Sequence, residues 1–218
     1  MTIHLEKDLE HLKKEILAMG AVVEQMLNKA ISSFVRRRAD QAEEVLGEDD
    51  VIDRKENEIE EECLRMLALQ QPVASDLRFI ITVMKVNNDL ERMADVAASI
   101  ASRAKYLATH DPIKLPVDFT KMVEKVQGMV HQSLDALVNM DVVTARKILQ
   151  QDDDVDQMNR SMYASLEELM IKDSQIIKRA MNALSVSRNL ERIADLATNI
   201  AEDIIFMVEG HIVRHRYE

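Results

Sequence analysis

Apolar residues recur at intervals of three or four along most of this chain, which is the pattern of an amphipathic α-helix. The opening stripe consists of Leu5, Leu9, Leu12, Ile16, Met19, Val23, Met26, Ala30 and Phe34. It predicts a first helix over residues 2–38. Similar stripes predict helices over 40–71 and 72–107, and Gly47 is the expected point of a bend in the second helix.

The second half of the chain repeats this plan. Stripes predict helices over 117–140, 141–171 and 174–208, and the segment 109–116 between the halves holds two of the three prolines. We therefore expect an all-α, internally duplicated protein of two tandem antiparallel three-helix bundles, because one stripe per helix cannot be buried without partners. The expected domains are residues 1–108 and 117–218, joined by a linker at 109–116. The alternative is one continuous six-helix bundle.

Composition supports a helical, water-soluble protein. Apolar residues make up 47% of the chain, whereas aromatic residues make up 3% and glycines number 4, which disfavours a β-sandwich or barrel. The net charge of −11 argues against binding to nucleic acid or anionic lipid. The N-terminus lacks a signal-peptide layout and no apolar run approaches ~20 residues, so a cytoplasmic location without membrane insertion is expected. The single cysteine, Cys63, is expected to be a buried thiol.

A polar string is duplicated within the apolar frame. The eight residues LERMADVA at 90–97 return as LERIADLA at 190–197, an offset of 100. Core packing explains the apolar positions but not the repeated Glu, Arg and Asp, so this string is the best pointer to function. A second repeat links Asp49–Asp53 to Asp152–Asp156 at an offset of 103, which implies a three-residue deletion in the second half.

The two repeats contain pairs of carboxylates spaced by four residues, which places each pair on one helix face. These pairs are Asp49/Asp53, Glu91/Asp95, Asp152/Asp156 and Glu191/Asp195. Like charges at this spacing are unfavourable by a few tenths of a kcal/mol. Either Arg92 and Arg192 or a bound hard cation, such as Mg²⁺, Ca²⁺, Mn²⁺ or iron, could offset the repulsion. A solvated acidic face is the plain alternative.

Motifs for catalysis are not visible. No Glu-x-x-His spacing accompanies the carboxylates, and neither a glycine-rich phosphate loop nor a Walker lysine is present. We therefore expect a regulator rather than an enzyme, with no catalytic residues. Two alternatives stay open, a metal-dependent phosphohydrolase or oxidase and a metal-free acidic helical adaptor.

Three strings together resemble the PhoU family of phosphate-signalling proteins. They are QQPVASDLR at 70–78, LERMAD at 90–95 and LERIAD at 190–195. The resemblance implies that the protein binds hard divalent or trivalent metal ions, such as iron, Mn, Mg or Ca. The implied ligands are Asp49, Asp53, Glu91, Asp95, Asp152, Asp156, Glu191 and Asp195.

The resemblance also implies a biological role. Proteins of this family restrain phosphate uptake and phosphate-starvation signalling. The implied partners are a membrane sensor histidine kinase, the ATPase subunit of a phosphate ABC transporter and a second copy of the chain. Its expected place is the cytoplasm, with attachment to the inner membrane through these partners, and no nucleic acid is involved.

Overall fold

The computed structural model describes residues 3–115 and 118–212, and for residues 3, 4, 49 and 118 it describes the backbone alone. All regular secondary structure in the described ranges is helical. Seven α-helices occur in order: α1 Ile3–Val35, α2 Ala39–Leu46, α3 Asp49–Gln70, α4 Ala74–Ala108, α5 Asp118–Asn139, α6 Val142–Lys172 and α7 Ile177–Glu209. A short 3₁₀ helix, Ser174–Ile176, precedes α7. The expected all-α class is confirmed.

The single helix predicted over 40–71 is wrong, because it is divided into α2 and α3. The backbone N–H of Gly47 donates to the Glu44 carbonyl at 3.1 Å, and that of Glu48 donates to the Val45 carbonyl at 3.1 Å. These three-residue spacings close the end of α2, and α3 then begins at Asp49. The counterpart α6 runs unbroken over 31 residues, since it contains no glycine or proline. The first helix also ends earlier than predicted, and Arg37 beyond it has a left-handed φ of 55°.

Each half wraps its other helices around one long helix. In the first half α1, α2 and α3 pack on α4, and in the second half α5 and α6 pack on α7. Helices α4 and α7 also pack on each other, and one apolar core runs through both halves. The described residues 109–115 of the expected linker form no helix, and residues 116 and 117 lie outside the described chain. The division into domains 1–108 and 117–218 stays a prediction.

The packing of α4 on α7 is antiparallel and contains polar contacts along its length. At one end the Arg78 Nε donates to the Met207 carbonyl at 3.1 Å, and at the other the Asn189 amide donates to Ser99 Oγ at 3.0 Å. Between them Lys85 Nζ lies 2.9 Å from Asp203 Oδ1. The Asp203 residue is only 2% exposed, so this ion pair joins the halves where one of its charges is shielded from water.

Two further expectations concern the cysteine and the membrane. Cys63 is fully buried, as predicted, and burial, with smaller contributions from Glu62 and Glu60, raises the pKa of its thiol to about 12. Within the described ranges, no helix combines the length and the apolar character needed to span a bilayer.

The Lys85–Asp203 pair provides a test of the packing between the halves. The change Lys85→Met leaves the Asp203 carboxylate buried without its lysine, so we expect the free energy of unfolding to fall by about 2 kcal/mol. Lys105→Met is the matched control, because Lys105 pairs with Glu43 at 2.9 Å on the surface; it should cost less than about 1 kcal/mol. Urea unfolding of the three proteins measures both values. Equal losses of unfolding free energy in the two variants would show that the ion pair with the buried Asp203 contributes no more than the surface pair.

Candidate metal centre

The acidic pairs of the second half face each other across α6 and α7. Asp152 and Asp156 lie on α6, and Glu191 and Asp195 lie on α7. The start of α6 is fixed by Asp141, whose Oδ1 accepts hydrogen bonds from the backbone N–H groups of Val143 at 2.9 Å and Thr144 at 3.1 Å. Such an N-cap stabilises a helix by about 1 kcal/mol. The continuous helix therefore presents both of its carboxylates in a fixed relation to α7.

Asp152 has the most perturbed ionisation in this cluster. Burial raises the pKa of its carboxyl to about 6, and the charges of Asp195, Asp156, Asp153 and Glu191 add to the effect. Its Oδ1 atom is inaccessible to solvent and accepts no hydrogen bond from any described residue. The residue also lines an open groove of about 630 Å³ between α6 and α7, so an ion from solution has a path to it.

The two acids on α7 are perturbed by the same neighbours. Burial, Asp195 and Asp156 raise the pKa of Glu191, and burial followed by Asp156 raises the pKa of Asp195. Asp195 is an exposed residue, yet the atoms around its carboxyl desolvate it enough to raise its pKa. The charge of Arg192 lowers the pKa of Asp195, although burial and repulsion prevail. The sequence-predicted pairs of the second half are therefore brought together as one electrostatic cluster.

The corresponding cluster of the first half is described only in part. Glu91 is half-buried on α4, whereas Asp95 on α4 and Asp53 on α3 are exposed. The side chain of Asp49 lies outside the described residues. Arg92, one candidate for neutralising these acids, has its Nη1 atom 3.7 Å from Asp89 Oδ1.

Two residues near the first cluster were not predicted from the sequence. The Asn87 side-chain amide donates to the Glu56 backbone carbonyl at 2.9 Å across α4 and α3. Burial, followed by the charges of Glu60 and Asp53, raises the pKa of the Glu56 carboxyl. The same offsets of 103 and 100 pair Glu56 with Asn159 and Asn87 with Ser187. A comparison of the two halves at these positions could have identified Glu56 and Asn87 from the sequence.

The donor set fits a hard cation in its chemistry. Carboxylate oxygens are the ligands that Mg²⁺, Ca²⁺ and Mn²⁺ prefer, and a positive ion would offset both the burial and the repulsion that raise three pKa values in the second half. The solvent-inaccessible Asp152 Oδ1 offers an acceptor without a donor. Among the described residues, however, no three Asp, Glu, His or Cys side chains already converge as a ligand group.

The fold and the site define a class, a duplicated all-α protein with an acidic cluster where a long central helix meets its neighbour. Residues 16–104 and 119–204 each match the PhoU domain. The chain belongs to the PhoU family.

Named relatives align with almost the whole chain. It is 40% identical over 213 residues to the phosphate-specific transport system accessory protein PhoU homolog of Aquifex aeolicus, spanning 98% of this chain and 96% of that protein. Identity to PhoU of Escherichia coli K12 is 35%, over 95% of this chain and 86% of that protein.

Two solved structures share the fold. The crystal structure of PhoU from Pseudomonas aeruginosa superposes with a TM-score of 0.91 at 37% identity, covering 94% of this chain and 99% of that one. The PhoU structure from Streptococcus pneumoniae gives a TM-score of 0.89 at 28% identity, covering 96% and 99%.

The raised pKa of Asp152 predicts how stability depends on pH without metal. An aspartate carboxyl ordinarily has a pKa of about 3.9, whereas that of Asp152 in the folded protein is about 6. The folded state therefore binds more protons in this interval, and stability falls as pH rises through it. Asp152→Asn abolishes that loss. We expect it to stabilise the protein by roughly 1–2 kcal/mol at pH 8 and to have little effect at pH 4.

Thermal and urea unfolding in the presence of chelator measure this difference. Glu167→Gln is the control, since Glu167 lies exposed on the same helix and should show no such dependence on pH. Equal stabilisation by Asp152→Asn at both pH values would contradict the raised pKa of Asp152.

Proposed function

We propose that this protein is a non-enzymatic accessory regulator of phosphate transport whose acidic clusters bind hard metal ions. The named relatives support the phosphate role, because they are phosphate-specific transport system accessory proteins. The metal role is supported by the sequence repeats and by the donor set of the second half.

The single observation that carries the metal proposal is the cluster formed by Asp152, Asp156, Glu191 and Asp195. Its four carboxylates lie on α6 and α7, the charges of the other three act on Asp152, and a carboxylate oxygen of Asp152 is buried without a hydrogen-bond donor among the described residues. Buried polar groups are normally paired. A hard cation would supply the missing partner, neutralise the mutual repulsion and fix the relative positions of α6 and α7.

The proposed partners follow from the family resemblance. We propose contacts with a membrane sensor histidine kinase and with the ATPase subunit of a phosphate ABC transporter, made from the cytoplasm and with the protein as a homodimer. Through them it restrains phosphate uptake and phosphate-starvation signalling. Ion binding would act on these contacts by changing the charge of the helix surface and by ordering its side chains.

A metal-free acidic adaptor is the second candidate. The observation in its favour is that no three potential ligands of the described chain are already gathered around a common point. In that case the carboxylates would contact basic surfaces of the partners directly. The two candidates differ in whether ion binding precedes partner binding.

Metal binding has a distinctive expected signature in stability. Mn²⁺ at about one hundred times its Kd should stabilise the wild-type protein by about 2.7 kcal/mol for each site that is lost on unfolding. Asp152→Asn/Asp195→Asn should lose most of the contribution of the second-half site, although the same variant is expected to be more stable than wild type in chelator. Equilibrium dialysis counts the bound ions, and thermal unfolding with and without Mn²⁺ measures the stability.

The control for this experiment carries two charge removals elsewhere. Glu167→Gln/Glu168→Gln changes the net charge by the same amount at exposed positions of α6. It should bind as many ions as the wild type. If dialysis finds no bound Mn²⁺ in the wild type, or the same number in the Asp152→Asn/Asp195→Asn variant, this metal site is wrong.

The cellular role is tested by complementation. In a bacterium whose own family member is deleted, the wild-type chain should restore low phosphate uptake and low expression of a phosphate-starvation reporter when phosphate is plentiful. The Asp152→Asn/Asp195→Asn variant should restore less, because its cluster cannot hold an ion, while Glu167→Gln/Glu168→Gln should restore fully. A protein that restores neither property at normal expression contradicts the phosphate role. Full restoration by every variant favours the metal-free adaptor.

A further inference from the structure

We infer that an apolar groove where the two halves meet is a docking site for an amphipathic helix of a partner protein, one that carries lysine or arginine beside its apolar stripe. Residues of α1 and α4 line this groove together with residues of α5, of the turn that follows α5, and of α7. The inference goes beyond the proposed function and holds whether or not the acidic clusters bind metal.

The first argument is the size and lining of the groove. Its volume is about 230 Å³, which is below the range of about 300–1,000 Å³ that is usual for small-molecule sites. Most of its lining is apolar and consists of Leu9, Phe79, Leu137, Met140 and Met207. Methionine adapts its shape to varied apolar partners. The groove therefore suits one or two side chains of another protein.

The second argument is an exposed methionine in a strained backbone conformation. Met140 follows α5 with a left-handed φ of 51° and is 53% exposed. The Asp141 N–H donates to the Ala136 carbonyl at 3.0 Å, which is the hydrogen bond of a helix end that ordinarily has glycine at the position of Met140. Gly210 takes such a left-handed conformation at the end of α7. Helix termination alone would thus be better served by glycine, and the groove has an apolar side chain there instead.

The third argument is an exposed valine at the start of α4. Val73 is the N-cap residue of this helix, is 72% exposed and makes no side-chain cap. Serine, threonine, aspartate and asparagine are the residues that stabilise a helix at this position. Val73 lies beside the groove residue Asp76, whose N–H donates to the Val73 carbonyl at 3.2 Å. Two helix ends at this groove are therefore less stable than their positions allow, and both gain an exposed apolar side chain.

The segment that carries Val73 is fixed at both of its ends. On one side the Gln70 amide donates to Asp8 Oδ2 on α1 at 2.7 Å, and on the other the Arg78 Nε donates to the Met207 carbonyl on α7 at 3.1 Å. These residues bound the string at 70–78, which has no place in the metal clusters. A surface that is already ordered loses less conformational entropy when a partner binds.

The charges of the groove and the helical fold define the partner. The carboxylates of Glu10 and Asp76 line the groove together with Lys13, and the whole chain has a net charge of −11. Such a surface favours association with basic side chains. The regular structure of the described ranges is helical, so no sheet edge there can pair with an extended peptide. A helix with apolar anchors is the mode of recognition that fits the groove.

Two labelled model peptides of about 16 residues test the inference, since this length is enough for an amphipathic helix. One peptide has leucine at helical spacing and lysine elsewhere, and in the other glutamate replaces lysine. Fluorescence anisotropy measures the binding of each peptide to the full-length protein at about 0.15 M salt. We expect the Leu/Lys peptide to bind with a Kd at least about tenfold lower than that of the Leu/Glu peptide.

Variants without added charge locate the binding surface. Val73→Ser supplies an N-cap and Met140→Gly relieves the backbone strain, so each should melt at or above the wild-type temperature. Each also removes an apolar side chain at the groove and should raise the Kd of the Leu/Lys peptide by about fivefold. Glu10→Gln should raise this Kd as well, whereas Glu167→Gln, at an exposed position of α6, should not.

Ile171→Ser is the control for a lost apolar side chain. Ile171 is 80% exposed in the last turn of α6, and the length of that helix places it about 45 Å from the turn that contains Met140. The Kd of the Leu/Lys peptide should be the same for this variant as for the wild type.

Weaker binding without lower stability is the result that a purely structural role of Val73 and Met140 does not give. If the wild type binds neither peptide, or if Val73→Ser and Met140→Gly leave the Kd unchanged, the inference is overturned. Equal affinity for the two peptides overturns the basic character of the partner. Sedimentation velocity tests the other occupant: a wild-type dimer that both variants convert to monomers would show that a second copy of the chain covers the groove instead.

Discussion

The antiparallel packing of α4 against α7 is the constraint on which the rest of the structure depends. These helices carry the two copies of the duplicated string, and each is the central element around which its own half packs. Polar contacts at both ends of the α4–α7 packing fix its register, and the Lys85–Asp203 pair lies between them. A change in this register would move the carboxylates of both halves relative to each other. One interface thus connects two sites that are far apart in the sequence.

The clustered acidic residues destabilise the folded protein, and other interactions must offset this cost. In the second half the repulsion is visible in raised pKa values, led by Asp152, where burial is the largest cause. Like charges at this spacing destabilise a helix. The Asp141 cap adds about 1 kcal/mol to the stability of α6 and so offsets part of this cost. Because burial is the largest cause, this cost depends on how α6 and α7 pack around the acids.

Sequence reasoning predicted the helices well because their apolar stripes are long and regular. It failed at the break between α2 and α3, since Gly47 alone does not decide between a bend and an end of the helix. That choice depends on tertiary contacts such as the ion pair of Glu48 with Lys29 at 2.5 Å. The spacing of the acids predicted which carboxylates share a helix face, but not their burial. The buried Asp152 oxygen and the Asn87 amide depend on packing between helices, which spacing does not contain.

The duplication explains why the halves can differ in chemistry while they share a fold. Apolar positions on α4 and α7 are constrained by the common core, so the repeated string keeps its frame. Position 56 on α3 and position 87 on α4 lie where these two helices meet, and such positions can change as a pair without disturbing the frame. In the second half these positions are joined by a hydrogen bond from Ser187 to the Asn159 side chain, whereas in the first half the Asn87 side-chain amide donates to the Glu56 backbone carbonyl.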